Sequence, residues 1–292
     1  MGIITFQSIV FRRLRNMTQI DIGCSLVYDI KRPTVLLLKI AASWTQHQFV
    51  NNENLTANPG LNIESCQIGP DGNRLHRVVV DPCRLTLKYD ASVEVTPVIE
   101  RSGDIRESLP AEMPPDVLTY LNPSRYCESD LLGRFAFEEF GQLSHGYARV
   151  QMICDWVHDH LEYTPGSTNG TTTASDVLLQ RTGVCRDYSH VAISLCRGVG
   201  IPARYISGYA VDLEPPDYHG VMEVWLDGQW YLFDPTRIAS PLGLVRIGMG
   251  RDAADVAFAT ITGTAALLEK KVWAYAPNAD LSKTNNPPVS TA

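Results

Sequence analysis

One stretch of the sequence, Arg181–Gly208, most constrains what this 292-residue chain can fold into. It reads RTGVCRDYSHVAISLCRGVGIPARYISG. Apolar residues recur at helical spacing after Cys185, and Gly200 followed by Pro202 is typical of a helix end. Residues Ala203–Tyr209 then have the composition of a strand. The stretch therefore predicts a thiol on the first turn of a helix that packs against a sheet.

The position of Cys185 allows two interpretations. Unpaired backbone N–H groups and the positive end of the helix dipole lie at a helix N-terminus, and both favour a thiolate over a thiol. A single cysteine is more often a small buried hydrophobic residue. The choice between nucleophile and core residue depends on what else the chain places beside it.

The segment Tyr218–Thr236, YHGVMEVWLDGQWYLFDPT, reads as a β-hairpin. Two runs of strand-forming residues flank an Asp-Gly turn, which is a strong signal for a two-residue connection. If Leu226 pairs with Gln229, His219 and Asp234 point to the same face as diagonal neighbours, within reach of a hydrogen bond. A slip of one residue at the turn would place them on opposite faces, and they would then be a chance His and Asp on a surface hairpin.

Together, Cys185, His219 and Asp234 have the chemistry of an activated cysteine nucleophile. The imidazole takes or shares the thiol proton, and the carboxylate orients the ring and stabilises its charged form. His190, which lies on the same helix as Cys185, is rotated away from it and is a poor candidate for the base.

The motifs around these three residues resemble the transglutaminase-like superfamily over roughly Leu131–Ala276. The resemblance implies a papain-like or transglutaminase-like α+β core, with Cys185, His219 and Asp234 as the catalytic residues. In one departure, Gly220-Val221 follows the histidine where many relatives carry Ala-Trp. The motifs are Gly183–Tyr188, Gly200–Arg204, His219 with Glu223–Leu226, and Trp230–Thr236.

Three segments are predicted along the chain. Residues 1–122 form a β-rich domain, an antiparallel β-sandwich that ends in an extended proline-rich linker at Arg101–Asn122. Residues 123–276 form the α+β catalytic domain, and residues 277–292 a flexible tail. The resemblance supports this division, since an N-terminal β-domain accompanies many bacterial members of the superfamily.

Shorter elements are predicted from local patterns. Asn51–Gly60 is polar and is predicted to be an exposed loop, and Asp71-Gly72-Asn73 a hairpin turn. Helices are predicted at Leu131–Phe140, with Asp130 as its cap, and at Tyr147–Leu161. Strands are predicted at Asp21–Ile30, Thr34–Ser43, Leu61–Ile68, Arg74–Pro82, Arg84–Tyr89, Ala91–Val98, Phe258–Thr262 and Glu269–Ala276.

Charge and cysteine content narrow the possible partners. A net charge of −7 argues against a nucleic-acid binder, because no basic field would attract phosphates. No apolar run reaches the length of a membrane span, and the N-terminal positive charges follow the apolar stretch instead of preceding it, which favours a cytoplasmic protein. The seven scattered cysteines form no CxxC pair, so we expect reduced thiols, no structural zinc and no cofactor.

The function predicted from these residues is cysteine acyl transfer on the amide bond of a peptide or protein. A protease or amidase is favoured, and glutamine crosslinking by a transglutaminase is the alternative. A binding module without activity, or a metal site built from the same three residues, remains open. Arg251 and Asp252 are predicted to form an ion pair near the site. Arg186 is predicted to be solvated, with a contact to the substrate or the oxyanion as the alternative. The second oxyanion donor and the oligomeric state cannot be derived from the sequence.

Overall fold

Strands make up the N-terminal part of the chain, the helices follow, and strands from both ends of the chain meet in shared sheets. The computed structural model describes residues 17–69, 72–100, 102–277, 279, 281 and 287–292. The helices described are α1 (Pro115–Leu118), α2 (Ser129–Phe140), α3 (Tyr147–His160), α4 (Ala174–Gln180) and α5 (Cys185–Gly198). The strands described are β1 (Thr18–Ile30), β2 (Thr34–Leu38), β3 (Gln48–Asn58), β4 (Ile63–Ile68), β5 (Asn73–Val80), β6 (Cys83–Val95), β7 (Val98–Ile99), β8 (Glu162–Tyr163), β9 (Thr182–Gly183), β10 (Ala203–Ala210), β11 (Tyr218–Leu226), β12 (Gln229–Phe233), β13 (Leu244–Gly250), β14 (Ala259–Thr262), β15 (Ala265–Tyr275) and β16 (Val289–Ser290).

Two antiparallel four-stranded sheets form the N-terminal β-region, in the orders β15-β1-β6-β3 and β14-β2-β5-β4. Alternate residues of β2 and β5 are buried, as expected for strands with one face on a core. Leu26, Leu36, Val78 and Leu87, which come from strands of both sheets, belong to one buried cluster. The α+β fold class with an N-terminal antiparallel β-region is therefore confirmed.

Two of the local predictions in this region are wrong. The polar residues predicted as an exposed loop at Asn51–Gly60 lie mostly in β3, which pairs with β6. Because β3 is an edge strand, it tolerates exposed polar side chains on both faces. The two strands predicted at 84–89 and 91–98 are one long strand, β6. Of the predicted turn, Asp71 lies outside the described residues, as do residues 1–16.

Strands β14 and β15 belong to the N-terminal sheets, although they follow the hairpin in sequence. Val272 of β15 pairs with Cys24 of β1, and Ala259 of β14 pairs with Leu38 of β2. We predicted strands close to these positions but assigned them to the catalytic segment 123–276. A strand pattern identifies the element and not its partner, so the sequence did not show this return of the chain.

The second half of the chain builds a six-stranded sheet in the order β13-β10-β11-β12-β16-β7. Helix α5 packs on it and is surrounded by α2, α3 and α4. Val191 and Leu195 of α5 share a buried cluster with Met222 and Val224 of β11. Helices α2 and α3 lie where they were predicted, but Asp130 is in the first turn of α2 and makes no capping hydrogen bond.

The predicted linker and tail both contribute to this sheet region. The linker is not simply extended, since it contains α1, and Met113 and Val117 pack against Trp230. The predicted flexible tail at 277–292 ends in β16, where Val289 pairs with both Leu232 and Ile99. Burial of Val289 explains why this part of the tail is ordered. Within the described residues, no helix combines the length and apolar character needed to cross a bilayer.

Candidate active site

Cys185 is the first residue of α5, as the sequence predicts. The preceding residue, Val184, is extended and occupies the N-cap position. The carboxylate of Asp187, three residues after Val184, accepts the Val184 N–H at 2.9 Å. This hydrogen bond fixes the entry into the helix, so the partly buried Cys185 side chain stands at the N-terminus of α5.

Asp187 is fully buried and is held by two neighbours. Thr168 donates a hydrogen bond to it at 2.6 Å, and Arg186 contacts it through Nε at 3.0 Å and through a terminal nitrogen at 2.7 Å. The prediction that Arg186 is solvated is therefore wrong, because a buried carboxylate requires a charged partner. Arg186 also donates to the Asn169 carbonyl at 2.9 Å, which ties the loop before α4 to the helix that carries Cys185.

The hairpin has the register predicted from its turn. Leu226 pairs with Gln229, and the pairing continues without a shift to Met222 and Phe233. The turn residue Asp227 has a φ of 47° and the following glycine a φ of 85°, both in the left-handed region that a two-residue connection of this type requires.

This register brings His219 and Asp234 together. His219 Nε2 lies 2.9 Å from Asp234 Oδ2, and both side chains are almost fully buried, at 0% and 1% exposure. The other carboxylate oxygen accepts two hydrogen bonds from Thr236, from its N–H at 2.9 Å and its hydroxyl at 2.6 Å. The Ala239 N–H adds a third contact, to Oδ2 at 3.1 Å. Asp234 is therefore held rigidly while it orients the imidazole.

The electrostatics of the pair favour a charged ring. Burial opposes the charge on His219, but the Asp234 carboxylate and the Cys185 sulfur outweigh it and raise the pKa of the imidazole to about 10. Burial would raise the pKa of Asp234, but the His219 charge and the Thr236 hydrogen bonds lower it. His219 Nδ1 has no hydrogen-bond partner by distance and angle among the described residues. With Nε2 engaged by Asp234, Nδ1 is the ring atom left for the thiol or the substrate.

Tyr163 is a further residue at the site, and sequence reasoning missed it. The short strand β8 runs parallel to β9, with Tyr163 paired to Gly183, two residues before Cys185. Burial and then the neighbouring Cys185 sulfur raise the pKa of the Tyr163 hydroxyl, which keeps it a neutral donor. A strand of two residues has no periodicity, so no local signal could have identified this tyrosine.

Gly220 explains the departure from the family pattern after the histidine. A Cβ built on Gly220 would overlap the hydroxyl of Tyr205, which lines the site from β10. The next residue, Val221, is buried in the core of the sheet. The glycine therefore makes room for the Tyr205 ring beside Cys185.

A cleft of about 350 Å³ opens above Cys185 and His219, between the two β-regions. Tyr205 and Gly220 line it on the side of the six-stranded sheet. The opposite wall is built from the N-terminal sheets and the segments that join them, and contributes Lys39, Phe258, Ala259 and Lys270.

The ion pair predicted between Arg251 and Asp252 does not form. Arg251 pairs with Asp255, at 3.1 Å, and not with Asp252 as predicted. Asp252 is buried and accepts the Tyr126 N–H at 2.9 Å, so its carboxylate holds a loop.

His190 is fully buried, and its Nε2 accepts the Ala253 N–H at 3.1 Å. Burial lowers the pKa of His190 to about 3, so it stays neutral as a structural residue.

In the part of the chain that the structure describes, no group of three or more His, Cys, Asp or Glu side chains is arranged to hold a metal ion. All seven cysteines lie in this part and are free thiols.

Comparison with known proteins matches both parts of the chain to protein families. Residues 135–235 match the family model described as the transglutaminase-like superfamily, and residues 18–111 match that of the bacterial transglutaminase N-terminal domain. A crystal structure described as a putative cysteine protease from Cytophaga hutchinsonii superimposes with a TM-score of 0.91 at 34% identity, covering 95% of this chain and 98% of that chain. The chain belongs to the transglutaminase-like superfamily.

Two mycobacterial proteins described only as uncharacterized are also similar. One, from Mycobacterium leprae, is 34% identical over 114 residues, which cover 35% of this chain and 39% of that protein. The other, from Mycobacterium tuberculosis, is 30% identical over 206 residues, 61% of this chain and 65% of that protein. The matches thus span less than two thirds of either relative.

Proposed function

We propose that this protein hydrolyses amide bonds as a cysteine protease or amidase, with Cys185 as nucleophile, His219 as general acid and base, and Asp234 as the orienting carboxylate. The observation that carries the proposal is the buried hydrogen bond of 2.9 Å between His219 and Asp234, beside a cysteine on a helix N-terminus. Because Asp234 engages Nε2, this arrangement leaves Nδ1 of the imidazole available to the Cys185 sulfur, which also acts on the ring.

In the proposed acylation, the Cys185 thiolate attacks the carbonyl carbon of the amide, and a C–S bond forms. His219 then donates its proton to the departing nitrogen as the C–N bond breaks, which leaves a thioester. The proton is available because the pKa of His219 is raised to about 10. In deacylation, the neutral ring takes a proton from water as the water attacks the thioester. The acid product leaves, and the thiolate–imidazolium pair is restored.

We propose two groups as the stabilisers of the negative oxygen that forms during these steps. The backbone N–H of Cys185 lies at the N-terminus of α5, where N–H groups have no partner within the helix. The Tyr163 hydroxyl, held beside Cys185 by β8, is the proposed second donor. Loss of one such donor typically costs about 10²–10³ in rate, so Tyr163→Phe should lower kcat by a factor in that range.

Hydrolysis is the reaction that we favour over crosslinking. The lining of the cleft is largely apolar, but its far wall contains two ammonium groups, those of Lys39 and Lys270, and their charge favours the entry of water. A transglutaminase must keep water away while an amine approaches. Incubation of a peptide substrate with excess primary amine therefore should yield the acid as the main product, and a dominant amide product would favour the crosslinking reaction.

The test of the nucleophile is the rate of alkylation by iodoacetamide as a function of pH. Cys66 is exposed in the same molecule and serves as an internal reference when both sites are quantified by mass spectrometry. We expect Cys185 to react faster than Cys66 at pH values where an ordinary thiol, whose pKa is about 8.5, is mostly protonated. His219→Ala should abolish this advantage, whereas His145→Ala, which removes an exposed imidazole, should not. Identical pH profiles for Cys185 and Cys66 would contradict the proposal.

A further inference from the structure

The charges that line the cleft are unevenly compensated. Four charged side chains other than the histidine line it, namely Lys39, Arg186, Asp217 and Lys270. Arg186 is neutralised by Asp187 at 2.7 Å, and Lys270 is neutralised by Asp217 at 2.6 Å. Lys39 is the remaining cation, and it forms no ion pair or side-chain hydrogen bond with any residue that the structure describes.

Lys39 is also held in a position where charge is costly. It follows β2, and its backbone N–H donates to the Phe258 carbonyl at 3.0 Å, which fixes its place at the rim of the N-terminal sheets. The side chain is partly buried, and this burial lowers the pKa of its ammonium group. The carboxylate whose charge acts on it, that of Asp255, is engaged by Arg251. A partly buried cation without a partner is stabilised when a ligand supplies the anion.

A second polar group in the cleft lacks a partner. Ser207, on β10, lines the cleft, and its hydroxyl oxygen is buried without a hydrogen-bond partner among the described residues. It can donate to an anionic oxygen or accept from an amide. The whole chain carries a net charge of −7, so an uncompensated cation in this cleft is not part of a generally basic surface.

We propose that the cleft selects acyl donors that carry a carboxylate close to the reacting amide, and that Lys39 binds this carboxylate. The proposal rests on the proposed function of Cys185, and it adds the substrate class. A cleft of about 350 Å³ accommodates one or two residues. The carboxylate therefore belongs to an acidic residue, or to a chain terminus, directly next to the scissile bond.

The test compares two alkylating reagents that differ only in charge, N-iodoacetyl-β-alanine and its neutral amide. Their rate ratio at Cys185, divided by the ratio at Cys66, measures the preference for a carboxylate in the cleft. We expect a preference of about fivefold in the wild type, as for an ion pair of moderate exposure. Lys39→Met should remove most of this preference, and Lys39→Gln provides a second, polar variant if the first fails to fold.

The matched control is Lys271→Met, which removes the same charge from an exposed position on β15 outside the cleft. It should leave the preference unchanged. If the Lys39 variants keep the wild-type ratio, or if Lys271→Met lowers it equally, the proposal is overturned. The neutral reagent alone distinguishes a failure of the proposed function from a failure of this proposal. If Cys185 is not activated, it reacts with that reagent only as fast as Cys66 does.

Discussion

His219 connects the two halves of the candidate site, because one ring nitrogen faces Asp234 and the ring also interacts with the Cys185 sulfur. The same contacts make the imidazole a stabilising group. A histidine whose pKa is higher in the folded state contributes stability that is complete below its unfolded pKa and is lost as the pH rises through the folded value.

From this linkage we expect the free energy of unfolding to fall as the pH rises from about 6.5 towards 10, the ordinary and the raised pKa of His219. Asp234→Asn removes the carboxylate that raises this pKa and should flatten that part of the curve. Urea denaturation of both proteins across this pH range measures the difference. Parallel curves would show that Asp234 does not hold the proton on His219.

A substitution at Gly220 tests how tightly the site is packed. Gly220→Ala places a methyl group against the Tyr205 hydroxyl and should destabilise the protein by about 1–3 kcal/mol. Adding Tyr205→Phe removes the overlapping oxygen and should restore part of the loss, which a double-mutant cycle of thermal unfolding detects. Additive effects of the two substitutions would contradict this account of the glycine.

At the scale of elements, a buried ion cluster fastens three strands of the six-stranded sheet. Glu223 on β11 is fully buried and accepts hydrogen bonds from Arg204 on β10, at 2.7 Å, and from Arg246 on β13. Arg246 also donates to the Thr291 hydroxyl at 3.0 Å, next to β16. Since β11 carries His219, this cluster fixes the strand that positions the imidazole.

Removing the shared anion should be costly. Glu223→Ala removes the carboxylate that two buried guanidinium groups share, and we expect a loss of about 3–5 kcal/mol in the free energy of unfolding. The matched control is Glu64→Ala, whose ion pair with Arg77 is about half exposed and should contribute under about 1 kcal/mol. Chemical denaturation of both variants gives the comparison, and equal losses would contradict the role of the buried cluster.

The elements that the sequence predicts well are those determined by neighbouring residues. Helix α5, the hairpin register and the contact between His219 and Asp234 depend on a cap, a two-residue turn and the alternation of side chains. The position of Tyr163 beside Cys185 and the ion cluster of Glu223 depend on contacts between separate segments of the chain. Patterns of burial and propensity do not encode such partners, so these features emerged only from the structure.

At the scale of the whole molecule, the two β-regions exchange strands. Strands β14 and β15 leave the second half of the chain for the N-terminal sheets, while β7 leaves the first half for the six-stranded sheet. Lys270 of the cleft lies on β15, and Lys39 follows β2, so the site also depends on this exchange.

We therefore expect the fragment 123–276 to lack an independent fold. It would expose β14 and β15 without β2 and β1, and would lack β7 and β16 from the other sheet. The 292-residue chain should unfold in one cooperative transition, and the fragment should show none by calorimetry. A fragment that melts cooperatively and retains fast alkylation of Cys185 would contradict this expectation.

The placement of β15 also sets an order in time. During synthesis, Cys185 and the hairpin leave the ribosome before residues 265–275 exist, so the proposed nucleophile is made while one wall of its cleft is still missing. Strand β1, which is among the first described residues to be made, keeps one unpaired edge until β15 has been synthesised and pairs with it. The proposed reactive centre is thus completed late in translation, and a chain interrupted before β15 contains Cys185, His219 and Asp234 without one wall of the cleft.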